Sequence, residues 1–209
     1  MVEAAMHNEV ATAPQAAAIV AALGRRSIVL VGMMGAGKSS VGRRLAARLG
    51  LPFVDADSEI EEAARMTIAE FFEKHGEPAF RAGEARVIAR LLDGGPQVLA
   101  TGGGAFMSAE TRALIRRKGV SVWLNAEIET LLRRIKRRTD RPLLKGDDPA
   151  KRLRQLVSER YPVYAEADLT VLSRDEPHEA VVEEIVAALA QRFAPHTGEA
   201  AAQAGEGAP

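Results

Sequence analysis

With 209 residues, 47% of them hydrophobic, and 28 Lys plus Arg set against 28 Asp plus Glu, the chain has material for one well-filled domain and no net charge. That balance argues against a dedicated nucleic-acid binder or a membrane-surface protein, and the absence of cysteine removes disulfide frameworks and thiolate metal sites. Glu3 and Glu9 stand where a secretory signal would be positive, and no uninterrupted apolar stretch reaches the roughly 18 residues of a membrane span. A soluble, cytoplasmic protein with no membrane partner is expected.

Residues 1–24 are alanine-rich and read as a low-complexity tail, although 15–23 has the composition of a loose helix. A second tail is expected over 195–209, leaving a domain at 25–194. The domain opens with a β-branched run at 28–31, which ends in Gly32-Met33-Met34-Gly35-Ala36-Gly37-Lys38-Ser39. This fits G-x-x-x-x-G-K-[ST], and the helix-like run over 38–49 follows at once, as a phosphate cradle requires. Glycines bring backbone N–H groups close to a polyphosphate at the positive end of a helix. Lys38 then reaches the outer phosphates, and the Ser39 hydroxyl serves Mg²⁺.

Further strands are expected at 52–54, 98–100, 120–124 and 169–172, with helices at 58–65, 68–74, 77–92, 109–118, 128–137, 150–160 and 178–193. Pro149 and Pro177 read as first helical residues, where the missing N–H costs nothing. Short apolar runs alternating with helices describe a parallel sheet covered on both faces. In such sheets ligands gather at the carboxyl ends of the strands, so the polar residues that follow each run matter most.

After the second run come Asp55 and Asp57, with Ser58 and Glu61 forming an expected capping box that leaves both aspartates for other work. One carboxylate can support a metal while its neighbour accepts a hydroxyl proton. After the third run, Thr101-Gly102-Gly103-Gly104 is either a plain turn or bare backbone against which a substrate ring lies. No acid follows this strand and no N-K-x-D guanine reader is present, which points to a small kinase rather than a motor ATPase or GTPase. Arg81 either pairs with Glu77 or Glu84 along its helix or binds an anion. The cationic run Arg133, Arg134, Lys136, Arg137, Arg138 and Arg141 can be a solvated face, a nucleic-acid patch or the root of a lid. It has no interleaved aromatics and passes into a Pro- and Gly-containing segment, which favours the lid. His75, His178 and His196 lack metal-ligand spacing, and Trp123 reads as strand packing.

Taken in order, GMMGAGKSSVGRRLA, LPFVDAD, FRAGE, TGGGA, DRPLL and ERYPVY resemble the shikimate kinase family over roughly residues 26–192. The phosphate loop is common to many nucleotide binders, whereas the ordered set is far more specific. The resemblance implies a P-loop three-layer α/β/α sandwich of the nucleoside-monophosphate-kinase type, with a five-stranded parallel sheet and a lid at about 138–149. It implies transfer of the γ-phosphoryl of ATP, with Mg²⁺, to the 3-hydroxyl of shikimate. Gly35, Ala36, Gly37, Lys38, Ser39 and Ser40 would then hold the nucleotide, with Arg134 and Arg174 beside it, the latter in an adenine loop at 173–177. Asp57 matches the base, Asp55 with Ser39 the metal support, and Arg81, Gly103, Gly104 and Arg160 the substrate positions. Arg141 matches a lid arginine that serves catalysis along with Lys38. A monomer is expected. The rivals are a gluconate-type sugar acid kinase and, from another class, a nucleotide-dependent nucleic-acid binder working through 133–141.

Overall fold

The computed structural model describes residues 13–136 and 148–194. Five strands form one parallel sheet: β1 (Ser27–Val31), β2 (Phe53–Asp55), β3 (Val98–Ala100), β4 (Gly119–Asn125) and β5 (Leu169–Leu172), in the order β2-β3-β1-β4-β5. β1 lies at the centre, with Ile28 opposite Val98 on one side and Val120 on the other. All five of its residues are buried, which explains why it reads as a continuous apolar run rather than an alternating one. The chain leaves β1 between two neighbours reached in opposite directions, the crevice where open α/β sheets collect ligands.

The helices are α1 (Ala13–Leu23), α2 (Lys38–Leu49), α3 (Ala56–Ala64), α4 (Ile68–Asp93), α5 (Ala109–Lys118), α6 (Ile128–Lys136), α7 (Pro149–Tyr164) and α8 (His178–Phe193), with a 3₁₀ turn at Ala105–Met107. α1, α2 and α8 pack together, while α4, α5, α6 and α7 make the other helical group around the 3₁₀ turn, giving a three-layer arrangement. Helix α2 comes close to β2 because residue 42 is glycine: a Cβ there would lie 2.5 Å from the Phe53 ring.

Several expectations shift. The segment expected as a tail contains α1, whose Ile19 and Leu23 are each 1% exposed against the core, and burial of each such side chain contributes roughly 1.5–3 kcal/mol. Its two apolar anchors, four apart on one face, outweigh the low complexity of the surrounding alanines. The helices expected at 68–74 and 77–92 form α4, which is kinked at the non-helical Gly76 (φ 76°, ψ 171°), so the expected separation is real. The capping box stands at Thr67 and Glu70 rather than at Ser58 and Glu61. Helix α3 starts two residues earlier than expected because the Asp55 carboxylate, already at the strand end, accepts the Asp57 N–H at 3.1 Å and becomes the cap. Glu61 instead accepts from the Ile68 backbone at 2.9 Å.

Asp148 caps α7 through the Lys151 N–H at 2.9 Å with Pro149 next, as expected. The helix then runs past Pro162, which forfeits one backbone bond, because Leu156, Val157, Arg160 and Tyr164 continue a single buried face. Pro177 sits one position before α8 rather than inside it. The expected lid and Arg141, the terminal segments 1–12 and 195–209, and His196 lie outside the described residues.

Candidate active site

Two walls meet at the carboxyl end of β1. The first is the phosphate loop. Gly32 leaves the strand at φ 136°, where a Cβ would lie 2.8 Å from the Leu124 carbonyl oxygen and 3.3 Å from Trp123 Cδ1. Gly37 (φ 96°) precedes α2 and offers no side chain to cap it, so the first helical turn keeps the unpaired donors that an anion can use. Lys38 Nζ donates to the Gly32 and Met33 carbonyls, both at 2.9 Å, folding the ammonium over the loop it serves. Ser39 Oγ donates to Asp55 Oδ2 at 2.6 Å, and the other Asp55 oxygen holds the Asp57 N–H. This joins the phosphate loop to the β2 end.

The second wall is the triple glycine after β3, tied to β1 by Thr101, whose Oγ1 donates to the Leu30 carbonyl at 3.0 Å. Each glycine faces a different charged side chain. A Cβ on Gly102 would lie 2.6 Å from Glu84 Oε1 and 2.9 Å from Asp57 Oδ1. Gly103 accepts Arg160 Nη1 at 3.0 Å and packs against the Met34 nitrogen, so this wall touches the phosphate loop. A Cβ on Gly104 would overlap the Arg81 guanidinium outright. Arg81 itself donates to Glu77 Oε1 at 2.9 Å and to Glu84 Oε2 at 2.7 Å, so the helical pairs read as one alternative are present, and they hold the guanidinium against the glycines. Burial and the nearby Asp57 charge push the Glu84 carboxyl above its ordinary range, against the pull of Arg81. Burial lowers the Arg81 pKa, but Glu84 and Glu77 outweigh it and the net shift is upward, keeping the guanidinium charged.

A cleft of about 420 Å³ runs along both walls. Gly35, Gly37, Lys38, Ser39, Ser40, Asp55, Asp57, Gly103 and Arg134 line it, while Ala36 is buried beneath and gives its carbonyl to Ser173 Oγ. Arg81, Gly104 and Arg160 adjoin it through the glycine segment. Arg134 Nη1 donates to Ser173 Oγ at 2.9 Å and Nη2 to the Arg174 carbonyl at 2.6 Å, binding α6 to the loop before α8. The Arg174 side chain is not brought to the cleft: it is half exposed and pairs with Glu184 at 3.1 Å, while Asp175 and Glu176 line the cleft in its place.

Three participants carry no expected role at the site: Glu84 and Tyr164, which close the FRAGE and ERYPVY motifs, and His178. Glu84 supplies the carboxylate between Arg81 and Asp57, and its Oε1 is buried without a hydrogen-bond partner. His178 lines the cleft, its Cε1 3.6 Å from where a Gly37 Cβ would sit; burial and then Arg44 and Arg134 lower its pKa. Tyr164 reaches the Gly103 carbonyl from α7. The signals were spacing along the helix for Glu84 and Tyr164, three from Arg81 and four from Arg160, and for His178 the adjoining expected adenine loop.

The donor set fits a hydrated Mg²⁺ between a hydroxyl, a carboxylate and phosphate oxygens: Ser39 and Asp55 are in hydrogen-bond contact and supply only oxygen. A P-loop on a five-stranded parallel sheet, facing a second wall of arginines and a carboxylate, defines a small-molecule phosphotransferase. A sequence model of shikimate kinase matches residues 34–190, and the chain belongs to the shikimate kinase family. A shikimate kinase from Rhodopseudomonas palustris is 69% identical over 176 residues, covering 84% of this chain and 87% of the relative. The structure of a shikimate kinase from Acinetobacter baumannii in complex with shikimate superimposes with a TM-score of 0.79 at 38% identity, covering 82% of this chain and 96% of that one. A gluconokinase from Sinorhizobium meliloti, 22% identical with a TM-score of 0.57 over 81% of this chain and 94% of its own, shares the fold alone.

Proposed function

We propose that this chain transfers the γ-phosphoryl group of ATP to the 3-hydroxyl of shikimate, forming shikimate 3-phosphate in the route to chorismate and the aromatic amino acids. The observation that carries this is the glycine segment 102–104, where Asp57, Arg160 and Arg81 converge while Gly103 packs on the phosphate loop.

Phosphoryl transfer asks for placement and charge neutralisation more than covalent chemistry. The amides of Gly35 to Ser40 and the Lys38 ammonium bind the polyphosphate, and Lys38 exchanges its loop carbonyls for phosphate oxygens. When bound at Ser39 and Asp55, Mg²⁺ neutralises charge on the phosphates. Arg81 and Arg160 present planar forks to the acceptor carboxylate, the geometry best matched to a two-bonded anion. Asp57, in the first turn of α3 next to the phosphate loop, accepts the hydroxyl proton. Arg134 steadies the nucleotide side through the loop 173–177; the catalytic role of Arg141, which lies outside the described residues, rests on the family resemblance alone.

The gluconate-type rival has support from shared fold only. Against the nucleic-acid rival, Arg134 lines the cleft and is committed to Ser173 and the Arg174 carbonyl, and Arg133 pairs with the cleft-lining Asp175 at 2.9 Å. We further propose a monomer working in the cytoplasm; among the described residues no helix is long and apolar enough to cross a membrane. The test is ADP release measured with shikimate and with gluconate as acceptors. Shikimate-dependent release is expected, and turnover with gluconate alone would reverse the assignment.

A further inference from the structure

The Gly103 carbonyl receives two donors. One is Arg160 Nη1 at 3.0 Å, and the other is the hydroxyl of Tyr164, one helical turn further along α7. Tyr164 has no exposed surface, and its ring lies in a cluster with Trp123, Tyr161 and Phe106 at centroid distances of 6.0, 6.2 and 6.5 Å, so it has one orientation. Burial pushes its pKa up to about 12, which keeps the hydroxyl protonated and donating at any working pH. The same oxygen lies 3.7 Å from Met33 Sδ, in the phosphate loop, whose carbonyl takes Lys38 Nζ.

A peptide oxygen has two lone pairs, and here both are taken. With Tyr164 on one, the Gly103 peptide plane cannot turn, and Arg160, which also meets the Tyr164 hydroxyl, finds a fixed acceptor for one nitrogen. Glycine on both sides of Gly103 gives this segment little intrinsic stiffness, so its orientation must come from a neighbour. Resting on the acceptor role of Arg160, we propose that Tyr164 is a positioning residue for the acceptor: its hydroxyl locks the Gly103 carbonyl and so aims the Arg160 fork at the acceptor carboxylate. Tyr161 is the internal contrast, since its hydroxyl goes to the Ala126 carbonyl at the foot of α6 and touches neither glycine nor arginine.

The test compares wild type with Tyr164→Phe, Arg160→Lys, the double variant and Tyr161→Phe, reading kcat, both KM values and the melting temperature. Loss of one hydrogen bond to a positioned carbonyl raises shikimate KM in Tyr164→Phe by about 3- to 10-fold. The ATP KM and kcat should stay within about twofold, as should all parameters of Tyr161→Phe. In the double variant the Tyr164 effect should largely vanish, because the fork it aims is already lost. An unchanged shikimate KM in Tyr164→Phe, equal losses for both substrates, or multiplicative losses in the double variant would overturn the proposal. An unchanged shikimate KM in Arg160→Lys overturns it differently, by removing the arginine's role itself. Should Tyr164→Phe fail to fold, the chain made with 3-fluorotyrosine carries two fluorines, separable through Tyr161→Phe. The Tyr164 resonance then shifts when shikimate is added, and an unmoved resonance refutes the coupling.

Discussion

The two walls of the cleft grip their ligands by different means. The donor wall is mostly backbone, a loop whose amides and carbonyls come from eight consecutive residues ending in Lys38 and Ser39. The acceptor wall is mostly side chain, with Asp57, Arg81, Glu84, Arg160 and Tyr164 drawn from three helices around three glycines that contribute room. A backbone grip suits a polyphosphate, whose recognition needs many donors of one kind. A side-chain grip suits a small ring bearing one carboxylate and several hydroxyls, where sign and geometry change from edge to edge.

That contrast breaks first where chemistry joins the walls. Asp57→Asn keeps the shape of the acceptor wall but removes the proton acceptor, and turnover should fall by about 10²–10⁴ with little change in ATP KM. Near-normal turnover would take Asp57 out of the mechanism. Lys38→Ala should cost about 10²–10³ in kcat, the scale of losing one charge-stabilising donor, at an unchanged melting temperature. A comparable loss of stability instead would show that the ammonium mainly holds the loop carbonyls.

Smaller effects should separate the walls. Arg81→Lys and Gly104→Ala should each raise shikimate KM by about tenfold and leave ATP KM alone, one by losing the fork and the other by pushing it aside. Equal effects on both KM values would mean the walls are not independent. The smallest test concerns charge. Glu84 has a raised pKa, so the folded chain binds its proton more tightly than the unfolded chain does, and the ionised form opposes folding as pH rises. Unfolding free energy followed from about pH 4 to 7 should therefore climb in Glu84→Gln relative to wild type, whatever the offset from losing the Arg81 pair. Parallel curves would mean that Arg81 fully compensates the burial.

The same division decided what could be read from the residues in order. The donor wall is local, so its strand, loop and helix were visible at once, and the expected span 38–49 is that of α2. The positions of β1, β3 and β4 followed from short apolar runs because a buried parallel strand shows no alternation, whereas the edge strands β2 and β5 are only partly buried. The acceptor wall joins residues up to about a hundred positions apart: strand-end position pointed to Asp57 and the triple glycine, while only the ordered family motifs brought in Arg160 and decided between the two readings of Arg81. Glu84 was legible as a pairing partner and illegible as a carboxylate facing Asp57, because that contact crosses from α4 to α3. Arg174 shows the reverse: a suitable residue in a suitable loop, with Glu184 near enough to claim it. Helix α1 was under-read because alanine says little about packing, and two apolar anchors decide it.

Trp123, the sole tryptophan of the chain, is 7% exposed and stands between Gly32 and Tyr161, whose ring meets it edge-on at 5.1 Å. Its indole is therefore a native fluorescent reporter at the root of the phosphate loop. Nucleotide titrations should be readable from its emission without a dye, a label or a coupling enzyme.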